Sequence, residues 1–184
     1  MLGNVIVAIG FIALSAQTAG LAAPPAPSAS VIAATANARA FASAAALSDI
    51  YEMQAGQLAL KKAESMDVRD FAQMMVADHS ETTARLRRVL ATSAPDILVP
   101  LHVDPRHMFL LDELIAADGT GFDQRYIAQQ ISAHQEALML MQTYARTGEN
   151  RALKDFAEET ASIVARHLDM ITQIDTRHRG ISSC

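Results

Sequence analysis

The chain has 184 residues, is 51% hydrophobic but only 5% aromatic, and carries a net charge of -5. Its basic residues are scattered among acidic ones and it has no glycine-rich phosphate loop, which disfavours nucleic acid and nucleotides as partners. The only cysteine is Cys184, so an intramolecular disulfide and a thiolate cluster are excluded. The alanine-rich composition and the length favour one compact all-α domain.

The first 22 residues have the order of a signal peptide. Residues 5–14 form an uninterrupted apolar run, and small residues follow it, so we expect cleavage after Ala22 and export to the periplasm or the outer membrane. The alternative is a retained anchor, because residues 4–23 have the length of about 20 residues that a bilayer requires. Polar residues such as Ser15 interrupt the run and favour cleavage.

The rest of the chain divides into a leader, a folded domain and a short tail. Residues 23–38 are rich in Ala, Pro and Ser and uncharged, as flexible leaders are. The folded domain is predicted over residues 39–178, and residues 179–184 form the tail. Within the domain, apolar residues recur with helical spacing. The predicted helices span residues 40–65, 67–92, 105–117, 122–147 and 151–178.

Local signals mark where these helices begin and end. Pro95 and Pro100 make residues 93–104 a non-helical crossover. Asp104 is a predicted N-cap followed by a proline at the first helical position, and Asn150 is a predicted cap for the last helix. Four long helices of about 25 residues, each about 38 Å long, indicate a ferritin-like up-down four-helix bundle whose crossover carries a short extra helix. Two separate helical hairpins are the alternative, but neither could bury its apolar stripe alone.

Three histidines lie on the apolar stripes of three different long helices. His79 comes four residues after Met75, His134 three after Ile131, and His167 three after Val164. Residues three or four apart share a helix face, so all three histidines should point into the bundle. The remaining long helix contributes Glu52, which is predicted to share a face of small residues. That face comprises Ala45, Ser48, Ala55 and Ala59.

Two interpretations of Glu52, His79, His134 and His167 follow from this placement. One Glu and three His would make a nitrogen and oxygen ligand set for a single first-row divalent metal ion. The alternative is a buried polar network in which Glu52 accepts hydrogen bonds from the histidines. Since an unpaired buried carboxylate is costly, an interior Glu52 requires one of the two.

Other residues near these stripes have simpler interpretations. Asp123 is predicted to cap the third long helix or to place a negative charge at its start, and Tyr126 is predicted to pack in the core. For both residues the alternative is to orient a metal ligand through a hydrogen bond. Four methionines could suggest copper binding, but we interpret them as core filler. These are Met74, Met75, Met139 and Met141.

Four segments carry a resemblance to a known family: EMQAGQLA at residues 52–59, VRDFAQMMVADH at 68–79, FDQRY at 122–126 and LKDFA at 153–157. With His134 and His167, they resemble the bacterial exported ferritin-like proteins catalogued as domain of unknown function 4142, often labelled putative outer-membrane proteins, over about residues 41–174. The resemblance implies a ferritin-like fold and an envelope location, and it implies no activity. The chain departs from the family at residues 162–164, where a proline is usual, which implies a straighter last helix.

The residue pattern also disfavours di-iron chemistry. Di-iron bundles use Glu-x-x-His pairs on two helices, but Val76 and Val164 stand three residues before His79 and His167. We therefore predict an exported envelope protein of no assignable catalytic activity, with a structural or interaction role and with envelope proteins or a small ligand as candidate partners. A bundle that binds a metal or small ligand is the alternative, and a redox enzyme is the least favoured.

Overall fold

The computed structural model describes residues 37–181. The predicted signal peptide and residues 23–36 of the predicted leader lie outside the described residues, as do the last three residues. The described chain is helical throughout, with no strand between residues 37 and 181, which confirms the all-α prediction. None of its helices is long and apolar enough to span a membrane. The helices are α1 Ala38–Lys62, α2 Met66–Ser93, α3 Pro105–Ala116, α4 Gly119–Thr147 and α5 Arg151–Ile181.

Side-chain caps begin three of the helices. The side chain of Asn37 accepts hydrogen bonds from two backbone N–H groups of α1. At α3, the Asp104 carboxylate accepts the backbone N–H of His107 at 2.9 Å, with proline at the first turn. At α5, Asn150 Oδ1 accepts the backbone N–H of Leu153 at 3.1 Å. Both predicted caps, Asp104 and Asn150, are therefore confirmed.

The helix bounds differ from the predicted ones by up to three residues. Differences of three residues occur at the end of α1, at the end of α5 and at the start of α4, which begins at Gly119 rather than at residue 122. Gly119 has a φ of 57°, a left-handed conformation that glycine tolerates. This glycine lets the chain turn between α3 and α4 with only Ala117 and Asp118 outside a helix.

The four long helices form a bundle with one long crossover. Helices α1 and α2 make one hairpin, and α4 and α5 make the other. Between the hairpins, α1 lies beside α4 and α2 beside α5, while the short α3 packs on α1 and α4. This is the predicted ferritin-like topology, in which a crossover over residues 94–118, with α3 in it, joins the hairpins. Helix α5 is continuous through residues 162–164.

The core is divided into two apolar clusters with polar residues between them. The Phe71 cluster includes Tyr51, Ala55, Phe71, Met75, Phe122, Tyr126, Ile171 and Ile174. The Phe41 cluster includes Phe41, Ala45, Leu86, Leu90, Met141, Tyr144, Leu153 and Phe156. Each long helix passes from one cluster to the other through buried polar residues. We call these residues the polar layer: Asp49, Glu52, His79, Gln130, His134 and His167.

Helices α1 and α2 come very close at Gly56, one turn from Glu52. A Cβ at Gly56 would lie 2.9 Å from Val76 Cγ2 and 3.1 Å from the carbonyl oxygen of Ala72. Both distances are shorter than ordinary van der Waals contacts. The absence of a side chain at Gly56 therefore sets the spacing of the first hairpin beside the polar layer.

Candidate metal centre

The three histidines of the polar layer meet in the middle of the bundle. One ring nitrogen from each of His79, His134 and His167 lies within 4.8 Å of the others. The centroids of the three rings are 5.5 to 5.9 Å apart. All three side chains are buried. Residues from α2, α4 and α5 therefore share one small volume; the helical spacing predicted that they face inward but not that they lie at the same height.

Each ring is held by a hydrogen bond at one nitrogen. His79 Nδ1 lies 2.8 Å from Asp49 Oδ1, and His167 Nε2 lies 2.9 Å from Asp78 Oδ2. His134 Nδ1 lies 2.9 Å from the carbonyl oxygen of Gln130, one turn earlier in α4. Carboxylates and carbonyls only accept, so the imidazole donates in each case. These bonds fix the orientation and the tautomer of all three rings.

The opposite nitrogen of each ring then carries a lone pair when the ring is neutral. These nitrogens are His79 Nε2, His134 Nε2 and His167 Nδ1, and each is buried without a hydrogen-bond partner among residues 37–181. Buried polar atoms in folded proteins nearly always have a partner, so three orphaned acceptors in one volume require an explanation. A ring nitrogen oriented by a carboxylate or carbonyl at its far side is the usual arrangement of a metal-bound histidine.

Glu52 lies beside this group. Its side chain is buried, and its Oε1 is 3.7 Å from His134 Nδ1, which is longer than a hydrogen bond. Its Oε2 has no partner within the described part of the chain. Burial raises the pKa of Glu52 to about 7, although the positive charge of His79 opposes this rise. The four predicted residues are therefore brought together, but they do not form a closed hydrogen-bond network.

The surroundings of the histidines decide which of them are neutral. Burial and the charges of the other two rings lower the pKa of His134 to about 3. Burial likewise lowers the pKa of His167, against the opposing effect of Asp78. Burial would also lower the pKa of His79, but the hydrogen bond and the charge of Asp49 outweigh it, so this pKa is raised. Metal binding requires the neutral form of each ring, which these effects favour for His134 and His167 and disfavour for His79.

The dimensions suit a single ion after a contraction. Histidine nitrogens bind first-row metals at about 2.0 to 2.1 Å, so two nitrogens on one ion are at most about 4.2 Å apart. The separations here extend to 4.8 Å. Nitrogens at tetrahedral angles around one ion are only about 3.4 Å apart, so the rings would have to move inward by up to about 1 Å to bind it. With Glu52 at the edge of the group, the set offers three nitrogen donors and one oxygen donor.

Three groups that orient the rings were missed by sequence reasoning. Asp49 was not considered, although it lies three residues before Glu52 and so shares its face. The side chain of Asp78 is 40% exposed, as a solvated charge would be, but it accepts the hydrogen bond from His167. The carbonyl of Gln130 carries no signal in the sequence. Ser48, predicted on the face of Glu52, lines a groove instead.

Asp123 and Tyr126, the two candidates for orienting the metal ligands, have different structural roles. The buried Asp123 accepts the backbone N–H groups of Glu64 and Ser65 at 3.2 and 2.8 Å, so it stabilises the turn between α1 and α2. Tyr126 packs in the Phe71 cluster, where its ring contacts those of Phe71 and Phe122. Burial and the charge of Glu52 raise the pKa of Tyr126.

The methionines lie outside the polar layer. Met75 belongs to the Phe71 cluster and Met141 to the Phe41 cluster, which confirms the prediction of core filler for both. Met74 packs partly buried against the Phe71 cluster, and Met139 is exposed on the surface. These methionines therefore add no thioether to the histidine group.

A larger groove lies elsewhere, between α1, α3 and α4, with a volume of about 890 Å³. Its charged side chains are paired with one another. Arg106 bonds to Glu136 at 2.6 Å, and His107 bonds to Asp104 at 2.7 Å. The side chain of His107 is only 14% exposed because it packs against Tyr51. These charged side chains of the groove therefore have partners, in contrast to the inner histidine nitrogens of the polar layer.

Comparisons with known proteins agree with this fold. A family profile described as Domain of unknown function (DUF4142) matches residues 23–174. A solved structure described as CopM in the Cu(II)-bound form superimposes with a TM-score of 0.64 at 18% sequence identity, covering 76% of this chain and 95% of that chain. At this identity the likeness is one of fold. No curated protein matches the sequence.

Proposed function

The chain belongs to the family described as domain of unknown function (DUF4142), and we propose that it is an exported helical bundle that binds one divalent transition-metal ion in its polar layer. His79, His134 and His167 would bind the ion through the nitrogens that have no other partner, and Glu52 would supply the fourth donor. The proposal assigns no catalytic step to these residues.

The three orphaned nitrogens carry this proposal. A purely structural polar network would satisfy its buried members, because each unsatisfied group costs about 1 to 3 kcal/mol. Here the histidines hydrogen-bond outward, to Asp49, Asp78 and the backbone, and leave their inner nitrogens unpaired. This arrangement favours the metal site over the structural network that we also derived from the sequence.

Copper(II) is the ion that we propose first. Imidazole nitrogen suits both copper and zinc, and copper(II) binds most tightly of the first-row divalent ions at such sites. CopM, solved in its Cu(II)-bound form, has a similar fold. Zinc(II) is the alternative occupant, since three histidines and a carboxylate also suit a tetrahedral site.

Export is supported by the order of residues 1–22, with an apolar run and small residues before the expected cleavage after Ala22. Expression of the full chain in a Gram-negative host, followed by cell fractionation, tests this part. We expect the protein in the envelope fraction with an N-terminus at Ala23. Protein retained in the cytoplasm with residue 1 intact would contradict export.

Metal stoichiometry tests the metal site. The purified protein is loaded with Cu(II) or Zn(II), desalted, and analysed for metal, with nitrogen couplings in the electron paramagnetic resonance spectrum of the copper form as a second readout. We expect one ion per chain, with couplings from histidine nitrogens. The substitution His134→Ala should abolish retention of the ion, with His134→Gln as a second variant that preserves more of the packing.

His107→Ala provides a matched control. Like His79, His107 is bound through Nδ1 to an aspartate, Asp104, but it lies in the groove outside the polar layer. Its replacement should leave one ion per chain. A protein that retains no ion, or one whose ion is lost equally in the His107 and His134 variants, would overturn the proposal.

A further inference from the structure

Two aspartates hold histidines of the proposed site in the same way but in different surroundings. Asp49 and Asp78 each accept a hydrogen bond from one ring, at 2.8 and 2.9 Å. The Asp49 side chain is 5% exposed, and its second oxygen accepts the hydroxyl of Thr83 at 3.0 Å. The Asp78 side chain is 40% exposed. Each aspartate thus accepts a hydrogen bond from one of the proposed metal-binding histidines, and the two aspartates differ in their exposure to water.

Burial matters because water screens a buried negative charge less than an exposed one, so the buried charge interacts more strongly with a nearby ion. Asp49 and Glu52 place two carboxylates inside the bundle, and the buried residues of the described chain include no Lys or Arg to balance them. With neutral histidines as ligands, a divalent cation neutralises the two carboxylates. A monovalent cation would leave one buried negative charge without compensation, which is costly.

We infer that Asp49 is a positioning residue that makes the site selective for divalent over monovalent cations, and hence for copper(II) over copper(I). This inference rests on the proposed function. The attraction between Asp49 and the ion is proportional to the charge of the ion, so it is twice as large for a divalent as for a monovalent ion. The charge of Asp78 is screened by water and should discriminate much less.

The test compares Asp49→Asn with Asp78→Asn, using Cu(II) as the divalent probe and Ag(I) as a monovalent probe that does not change oxidation state. An asparagine oxygen still accepts the imidazole N–H, so both variants remove charge while they keep the hydrogen bond. Dissociation constants for the two ions are measured by competition with chelators of known affinity at one pH. The wild-type protein is measured in parallel.

For Asp49→Asn we expect Cu(II) binding to weaken by about 10- to 100-fold, as for other groups that support metal ligands. The attraction to Asp49 is proportional to the charge of the ion, so the change in binding free energy for Ag(I) should be half that for Cu(II). Ag(I) binding should therefore weaken by only about the square root of the factor for Cu(II), roughly 3- to 10-fold. The selectivity for Cu(II) should therefore fall by at least about threefold. For Asp78→Asn both ions should weaken by similar factors, so that selectivity is retained. The charge-conserving Asp49→Glu should also retain it, even where affinity falls.

Equal weakening of both ions in Asp49→Asn would overturn the inference, because a residue that only orients His79 affects every ion alike. Loss of selectivity in Asp49→Glu would overturn it as well. These results differ from a failure of the proposed function, in which the wild-type protein binds neither Cu(II) nor Ag(I) at one ion per chain.

Discussion

At its two ends the interior of this bundle is apolar, whereas the polar layer in the middle holds three histidines and two carboxylates. The end clusters bury aromatic and aliphatic side chains that need no partner beyond van der Waals contact. The polar layer buries groups that need hydrogen bonds or a ligand, and several of its atoms have neither within residues 37–181. The ends therefore account for the stability of the fold, and the middle layer buries polar groups at some cost to that stability, as the proposed metal site would require.

The largest expected change in stability comes from an end cluster. Phe41 is fully buried, and its ring contacts those of Tyr144 and Phe156. Phe41→Ala should lower the free energy of unfolding by about 3 to 5 kcal/mol, as large-to-small core substitutions of phenylalanine do. Metal affinity of the folded protein should stay within a few-fold of wild type. Chemical denaturation and metal titration measure the two quantities, and a large loss of affinity would show that the ends and the middle are not separable.

The opposite behaviour is expected in the polar layer for Glu52→Gln. The pKa of Glu52 is about 7 in the folded chain against a usual value of 4.5, so its contribution to stability is complete below pH 4.5 and is lost as the pH rises through 7. The metal-free variant lacks this loss. It should therefore be more stable than the wild type above pH 7, by up to about 3 kcal/mol, with the difference shrinking toward pH 4.5.

Denaturation of both metal-free proteins at several pH values measures this difference. In the same variant, Cu(II) affinity should fall, because the fourth donor loses its charge. A variant that is less stable than the wild type at pH 8, without metal, would mean that Glu52 is a stabilising member of the core.

The smallest effect is expected where the first hairpin is tightest. Gly56→Ala places a methyl group against Val76 and the backbone of Ala72, so α1 must move away from α2 beside Glu52. We expect a net loss of about 1 kcal/mol, since the steric cost of about 1 to 3 kcal/mol exceeds the helix propensity gained. Gly121→Ala is the matched control, because nothing lies within 4 Å of a Cβ there. Thermal unfolding should show that the control is as stable as the wild type or more so.

The sequence alone predicted the fold and the ligand candidates because both depend on periodicity within one helix. The stripes containing His79, His134 and His167 repeat every three or four residues, so the buried face of each helix follows directly. The caps at Asp104 and Asn150 are equally local, and the structure confirms both.

Features that depend on pairing between helices were not predicted. The bond from His167 on α5 to Asp78 on α2 depends on the relative height of two helices that are distant in the chain. Asp78 also lies off the apolar stripe of α2, so periodicity gives it no role. The outward hydrogen bonds of the rings, which leave the inner nitrogens unpaired, are visible only once the four helices are packed together.

The polar layer draws its members from both hairpins. Glu52 and His79 belong to the first hairpin, and His134 and His167 to the second, while the covalent link between them is the crossover, which runs from the end of α2 beside the Phe41 cluster to the start of α4 in the Phe71 cluster. An ion bound by all four would act as a cross-link between the hairpins. Its departure would then require the hairpins to separate, so the dissociation rate should follow the opening rate of the bundle and be independent of the concentration of a competing chelator. Such kinetics suit long-term sequestration better than rapid transfer between partners.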